Sequence, residues 1–155
     1  MRFTLCLLVT TWLFSPFAQA TANNDFPTAF QPVIDIFTGL SEGDKEKVKR
    51  SVAPDFILLE QGEVWDTDML LSIVKGPIPR INAYHIISSD IREDLALFNY
   101  WTQSNIGKGN NPNVLTWLES VVVVKTNKGW KLQQFHSTRV LPEKVPVKLE
   151  FIQAR

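Results

Sequence analysis

Cysteine is nearly absent from this chain of 155 residues, and its position excludes several kinds of chemistry. Cys6 is the one cysteine, and it falls in an N-terminal segment that we expect to be cleaved. The remaining chain then has no thiol, and therefore no disulfide and no thiolate metal ligand. We expect its fold to depend on a hydrophobic core, and about 135 residues suffice for one domain with such a core.

The chain also lacks an excess of charge of either sign, since 16 basic residues balance 16 acidic ones. No net field attracts nucleic acid or an anionic membrane, so neither is expected as a partner. Histidine is scarce, because His85 and His136 are the only two. There is no helical His-x-x-x-His spacing and no phosphate-binding glycine loop, so the sequence predicts no metal site and no cofactor.

One long apolar run stands at the start of the chain. The segment "MRFTLCLLVTTWLFSPFAQA" has a basic residue at Arg2 and ends in the small-x-small triplet Ala18-Gln19-Ala20. Its apolar part is about 12 residues long, whereas a helix needs roughly 20 to span a bilayer. This layout predicts that residues 1–20 form a cleaved signal peptide and not a transmembrane anchor. We expect a periplasmic or secreted protein that is not held in a membrane.

Apolar spacing predicts helices early in the remaining chain. Between Phe26 and Leu40 the apolar residues recur at helical spacing and form one stripe. Asp44 is placed to cap a second, short helix, "KEKVKRSV", and "MLLSIVK" predicts a third. Between them, "DFILLEQGEVW" indicates two short strands around a Gln61-Gly62 turn.

After Arg80 the pattern changes to β structure. The segments "INAYHIISSDI", "LALFNYWTQS", "NVLTWLESVVVVK" and "WKLQQFHSTRV" are rich in Val, Ile, Thr and aromatic residues. Their connections are consistent with antiparallel hairpins. Helices followed by a run of strands predict an α+β fold, with the helices packed on one face of an antiparallel sheet. The tail after Leu141 contains two prolines and is predicted to add an edge strand or to wrap the domain.

Two segments resemble the nuclear transport factor 2-like superfamily, specifically its SnoaL-like and ketosteroid-isomerase-like branch. "FTGLSEGDKEKVKRSVAPDFILLEQGEVW" is similar to that family's opening. "ESVVVVKTNKGWKLQQFHSTRV" is similar to its closing hairpin, in which a Gly-Trp-Lys step enters the last strand. The resemblance covers about Phe26 to Leu141. It implies N-terminal helices packed in a strongly curved antiparallel sheet, a cone with a pocket, and a homodimer through the sheet. We expect this domain over residues 21–141 and a C-terminal extension over 142–155.

The resemblance does not imply one activity, because the family includes isomerases, dehydratases and association domains. A ketosteroid-isomerase mechanism, as the resemblance would import it, needs an early carboxylate, a tyrosine on the first helix and a neutral acid on the penultimate strand. Glu60 or Glu63 could supply the first. The first helix carries Phe30 and Phe37 instead of tyrosine, and Glu119 is the nearest candidate for the acid. These departures argue against steroid-type isomerisation.

His136 is the candidate general acid/base. Strict alternation places it on the same face as Trp130, Leu132, Gln134 and Thr138, a face that begins apolar and becomes polar as at a pocket mouth. The alternative, which we favour, is a histidine that only shapes the pocket.

Asp55 and Glu60 are the candidate carboxylates that would orient His136 or act beside it. For Asp55, a turn role after Pro54 is the favoured alternative.

Aromatic residues in the β segments provide candidate ligand contacts. The predicted ligand-binding residues are Trp65, Tyr84, Trp101, Gln134 and Thr138. Packing in the core or at a dimer interface would also account for the aromatic ones. The sequence therefore favours an exported small domain with a partly apolar pocket that binds a small molecule, with no assignable reaction. The alternatives are a lyase or isomerase that uses His136, and an envelope protein-interaction module.

Overall fold

A computed structural model describes residues 26–107 and 112–154. The predicted signal peptide, residues 1–20, lies outside the described residues, so its cleavage stays a prediction. Within the described ranges, no helix has the length and apolar character needed to cross a membrane.

The helices form where the sequence predicts them. A short 3-10 turn, Thr28–Phe30, leads into α1 (Gln31–Glu42), which is followed by α2 (Lys45–Ser51) and later by α3 (Thr67–Ser72). The Asp44 carboxylate accepts from the Lys47 backbone N–H at 2.9 Å, which satisfies a free donor at the start of α2. Asp66 caps α3 in the same way.

Within the residues that the structure describes, seven strands form one sheet. They are β1 (Val52–Glu60), β2 (Glu63–Trp65), β3 (Arg80–Ile91), β4 (Leu95–Ile106), β5 (Asn113–Thr126), β6 (Gly129–Val140) and β7 (Ile152–Gln153), in the spatial order β2-β1-β6-β5-β4-β3-β7. The predicted α+β class is confirmed. The sheet is mixed rather than wholly antiparallel, because β1 and β6 pair in parallel. These two strands are far apart in the chain, so no hairpin sets their relative direction.

The core lies between α1 and the inner face of the sheet. Phe30 is fully buried, and its ring meets four others with centroids 4.9–5.5 Å apart: Phe26, Tyr84, Phe98 and Tyr100. Three of these contacts are edge-to-face, the arrangement that the charge distribution of aromatic rings favours. The aromatic cluster fastens the start of α1 to β3 and β4.

A bulge interrupts β6. Val122 pairs with Gln134 and Val123 with Leu132, so Gln133 is an extra residue on β6. Side chains alternate strictly along a strand, and one extra residue therefore moves every later side chain to the opposite face.

The bulge overturns the predicted faces of the last strand. Phe135 and Ser137 are buried on the inner face, at 5% and 3% exposure. Gln134, His136 and Thr138 are exposed on the outer face. The alternation of "WKLQQFHSTRV" predicted the reverse, because it assumed an unbroken strand.

The C-terminal tail returns to the sheet. Its strand β7 pairs with the outer edge of β3, where Tyr84 lies opposite Ile152. His85 Nδ1 lies 2.9 Å from the Glu150 carbonyl oxygen, an arrangement in which the imidazole N–H donates. The tail thus covers part of an otherwise unpaired sheet edge.

The end of α1 contacts the loop that leads into β3. Gly43 ends the helix in the left-handed region, with φ of 71°. A Cβ at Gly43 would lie 2.5 Å from the carbonyl carbon of Gly76, which is far inside contact distance. Nearby, the Ile78 backbone N–H donates to the Ser41 carbonyl at 2.8 Å. This contact sets where β3 begins.

The substitution Gly43→Ala should destabilise the protein more than Gly62→Ala. Both glycines have positive φ, and alanine in that region costs about 1–2 kcal/mol in either place. Nothing lies within 4 Å of a Cβ at Gly62, so only Gly43→Ala adds a backbone clash. Urea unfolding followed by tryptophan fluorescence measures both changes. Equal losses in the free energy of unfolding would contradict the close approach of Gly43 to Gly76.

Candidate functional site

A cavity of about 550 Å³ lies between the inner face of the sheet, α1 and α3. Its wall is largely apolar and includes Ile36, Phe37, Leu40, Leu58, Trp65 and Phe135. Its polar groups come from Glu60, Gln61, Glu63, Arg80, Glu119 and Ser137. An apolar wall with a few polar groups is the usual composition of a small-molecule site.

A second hollow, of about 960 Å³, lies between the end of α2, the start of β1 and the β5–β6 turn. It is larger, but its charged residues are exposed or half-buried, as at Arg50, Lys128 and Lys131. Buried ionisable groups mark functional sites more strongly than surface charges do. We therefore take the smaller cavity as the candidate site.

Four neighbouring strands supply one row of side chains, of which three line this cavity. Glu60 of β1 pairs with Ser137 of β6, Ser137 with Glu119 of β5, and Glu119 with Tyr100 of β4. Residues paired in register on the same face lie side by side. The row brings together residues from widely separated parts of the sequence.

Glu119 is the central ionisable group of the row. It is 4% exposed, and it accepts hydrogen bonds from Thr102 Oγ1 at 2.6 Å and from Ser137 Oγ at 3.1 Å. Burial raises the pKa of Glu119 to about 7, because desolvation disfavours its charged form. The hydrogen bonds and the charge of Arg80 oppose this shift only in part.

Two tyrosine hydroxyls lie close to this carboxyl. The hydroxyls of Tyr84 and Tyr100 are buried and have no hydrogen-bond partner of regular geometry among the described residues. Tyr100 nevertheless lies close enough to Glu119 to lower the pKa of that carboxyl. Burial raises the pKa of both tyrosines far above the ordinary range. Both therefore carry a proton at neutral pH.

Arg80, the first residue of β3, brings a cation into the cavity. Its guanidinium carbon lies 4.8 Å from the centre of the Phe37 ring and 5.4 Å from that of Trp117. Nε donates to Asn82 Oδ1 at 2.7 Å, and Nη2 donates to Ser104 Oγ at 2.8 Å. These contacts hold the side chain in place. Burial lowers the pKa of Arg80, and Glu119 partly offsets that effect.

Arg80 and Glu119 line the same cavity without forming an ion pair within 4.0 Å. The bonds of Arg80 to described residues use Nε and Nη2, so Nη1 has no such partner. Arg80 therefore keeps donor capacity for a bound molecule. Among the described residues, no group of three or more His, Cys, Asp or Glu side chains is arranged to hold a metal ion.

Two of the residues predicted from sequence, Glu60 and Trp65, line the cavity. Tyr84 is 1% exposed and belongs to the aromatic core beside the cavity rather than to its wall. Trp101 lies on the outer face, opposite Leu118. Its position follows from the alternation of β4, in which Tyr100 and Thr102 face inward.

Gln134, Thr138 and His136 lie on the outer face because of the β6 bulge, so they are not in the cavity. Asp55 is exposed, and it accepts a hydrogen bond from the amide of the bulged residue Gln133 at 2.6 Å. Among the described contacts, no carboxylate is hydrogen-bonded to His136. The structure therefore does not bring the predicted imidazole and carboxylates together.

Sequence reasoning missed Arg80 as a site residue and considered Glu119 only for one mechanism. One signal could have identified Glu119. The residues that alternate with it on β5, Trp117 and Val121, face inward, so a lone carboxylate occupies an inward position of an apolar strand. Arg80 carries no comparable signal, because it stands at the first position of its strand.

No protein-family model matches the chain, and no curated protein matches it in sequence. Solved structures do match. An NTF2-like protein from Cytophaga hutchinsonii shares 13% identity at a TM-score of 0.60, with 72% of this chain and 94% of that chain covered. A ketosteroid isomerase-like protein from Erwinia carotovora atroseptica shares 17% identity at a TM-score of 0.57, covering 78% of this chain and 100% of that one. The chain has the nuclear transport factor 2-like fold.

Association domains share this fold as well. The CamKII hub homology domain of Chlamydamonas reinhardtii is 16% identical at a TM-score of 0.62, with 74% of this chain and 97% of that chain covered. At such low identity the likeness establishes the nuclear transport factor 2-like fold and no activity. The resemblance inferred from the opening and closing segments is thereby confirmed at the level of the fold.

Stability should depend on pH through Glu119. Its pKa is about 7 in the folded protein and near 4.5 when unfolded, so the folded state binds more protons between these values. Stability should therefore fall as pH rises from 4.5 to about 7. The substitution Glu119→Gln keeps the shape of the side chain and removes its ionisable group. As pH rises through this range, the free energy of unfolding of the variant should therefore increase by roughly 3 kcal/mol relative to that of wild type. Urea unfolding at several pH values tests this, and parallel curves for the two proteins would refute it.

Proposed function

We propose that this protein binds a small molecule in the cavity between α1, α3 and the inner sheet face. The observation that carries the proposal is the placement of Glu119 and Arg80 in a hollow with an apolar wall. The structural neighbours with this fold include a ketosteroid isomerase-like protein, which fits a small-molecule-binding role.

The polar groups buried in and beside the cavity lower the stability of the folded protein. A buried carboxyl loses hydration, and each buried hydroxyl without a partner costs about 1–3 kcal/mol. Glu119, Tyr84 and Tyr100 all lie in this one region. Natural proteins retain such local costs mainly at functional sites, which supports binding rather than packing as the role of the cavity.

The enzyme alternative takes a different form from the one predicted. His136 is exposed on the outer face, so acid/base chemistry in the cavity would fall to Glu119, with Glu60 as a second carboxylate. The pKa of Glu119 of about 7 suits proton transfer near neutral pH. Binding is the proposed function, and this acid/base role is a possible use of the same cavity. We assign no reaction.

Blocking the cavity should remove binding. Ile73 lines the cavity and is 44% exposed, whereas Ile78 is 48% exposed and lies outside its wall. Titration with N-phenyl-1-naphthylamine, an uncharged dye that fluoresces in apolar sites, should show saturable binding to wild type. Ile73→Trp should weaken this binding at least tenfold because the indole narrows the hollow, and the matched control Ile78→Trp should not. Equal weakening of dye binding by the two variants would overturn the placement of the binding site in this cavity.

Export remains part of the proposed function. The N-terminal segment has the layout of a signal peptide, with a basic start, a short apolar run and a small-x-small site. We propose that the mature domain binds its ligand in the periplasm or outside the cell.

Self-association is the second proposed function. The outer sheet face exposes Leu97 of β4 at 37% and Leu118 of β5 at 41%, and the half-buried Trp101 of β4 lies opposite Leu118. Adjacent apolar side chains on a sheet face, as at Trp101 and Leu118, are typical of interaction surfaces. The structural neighbours include association and hub domains, which is consistent with self-association. We propose a homodimer through this face.

Leu118→Lys should convert the dimer to a monomer, because two unpaired ammonium groups would be buried across the interface. The control Val147→Lys changes a fully exposed tail residue at 101% exposure and should leave the dimer intact. Light scattering on the protein purified without residues 1–20 gives both masses. A monomeric wild type would refute the homodimer and favour a module that binds another envelope protein.

A further inference from the structure

The cavity carries opposite charges at two places. Arg80 lies on the Trp117 side, and Glu60 and Glu63 lie at the β1–β2 turn. Glu119 lies on β5, the strand that also carries Trp117, and therefore on the Arg80 side. A ligand with one charged group could pair with only one of these places. The layout therefore favours a ligand that carries a charged group at each end.

The Arg80 side is built to meet an oxygen acceptor. The guanidinium is held by Asn82 and Ser104 and stacked on two rings, yet Nη1 has no partner among the described residues. The buried hydroxyls of Tyr84 and Tyr100 lie in the core beside the cavity and do not belong to its wall. A held guanidinium with unused donor capacity matches a carboxylate group.

The turn side is acidic. Glu60 and Glu63 pair directly across the β1–β2 hairpin, and like charges in that position repel each other. Glu60 accepts from the Gln61 amide at 3.1 Å, and Glu63 accepts from the Trp65 indole N–H at 2.7 Å. Within the described part of the chain, neither forms an ion pair. Two paired carboxylates at the mouth of the cavity, one of them bonded to the Trp65 indole N–H, match an ammonium group.

The separation of the two places follows from the sheet. Glu60 belongs to β1 and Trp117, on which Arg80 stacks, belongs to β5, with β6 between them. Strands lie 4.7–4.9 Å apart, so two steps put the backbone of Glu60 and that of Trp117 about 10 Å apart across the strands, which sets the scale of the spacing between the two charged places. The apolar residues Leu58 and Phe135 line the cavity on β1 and β6.

We propose that the ligand is a small zwitterion with an apolar middle, its carboxylate held by Arg80 and its ammonium group, about 10 Å away, held by Glu60 and Glu63. This inference rests on the proposed binding function and specifies the class of ligand. The inference predicts that the ligand carries a positively charged group, which an apolar cavity alone would not require.

Three compounds with the same eight-carbon chain test the inference: 8-aminooctanoate, octanoate and octylamine. Isothermal titration of wild type should give an affinity for 8-aminooctanoate at least about tenfold above that for either single-ended compound, since each charged contact contributes on the order of a factor of ten. Equal affinities for 8-aminooctanoate and octanoate would overturn the ammonium site. Equal affinities for 8-aminooctanoate and octylamine would overturn the carboxylate site.

The double variant Glu60→Gln/Glu63→Gln should lower the affinity for 8-aminooctanoate to that for octanoate. It should not weaken octanoate binding, because octanoate has no ammonium group to lose a partner, whereas loss of folding would weaken the binding of both compounds. The single variant Glu63→Gln, at an exposed position, should show an intermediate loss. An unchanged affinity of the double variant for 8-aminooctanoate would refute the inference.

The dye titration separates this inference from the proposed function. Saturable dye binding together with no preference among the three compounds would refute the zwitterion and leave the binding function standing. Failure of the dye and of all three compounds would refute both.

Discussion

The extra residue at Gln133 decides which side chains of β6 reach the cavity. Without the bulge, His136 would point inward, and Phe135 and Ser137 would lie on the outer face. With it, Phe135 completes the apolar wall and Ser137 donates to Glu119. The bulge is itself supported by the bond between the Gln133 amide and Asp55. Both the composition of the cavity and the environment of its central acid therefore depend on one local irregularity of a single strand.

Glu119 and Arg80 show how the fold keeps charge inside a small domain. Neither residue is paired with the other at contact distance, and each is stabilised by neutral partners instead. Glu119 uses hydroxyls from β4 and β6, while Arg80 uses aromatic rings and the side chains of Asn82 and Ser104. An internal ion pair would satisfy both groups and leave little capacity for a ligand. Separate support leaves the acid and the guanidinium able to act on a bound molecule.

Much of the architecture was predictable from local patterns. The helical stripe from Phe26, the cap at Asp44 and the long β segments after Arg80 all appear in the structure, because spacing, capping and strand composition act over a few residues. The parallel pairing of β1 with β6 was not predictable, since it joins segments distant in the chain. The site was predicted least well. Glu60, predicted as a carboxylate beside His136, and Trp65, predicted as a ligand contact, line the cavity, whereas His136 was assigned to the inner face by an alternation that the bulge breaks.

The sequence by itself determined the class of fold and the order of its elements, because hydrophobic periodicity records which face of each helix or strand is buried. Only the tertiary structure decided which polar side chains meet. Glu60, Ser137 and Glu119 become neighbours through register across three strands, and Arg80 reaches Trp117 across the width of the sheet. Register depends on the sum of all pairings and on each bulge, and a shift of one residue exchanges the two faces of a strand. For that reason the chemistry of this protein lies in contacts that no single segment of its sequence encodes.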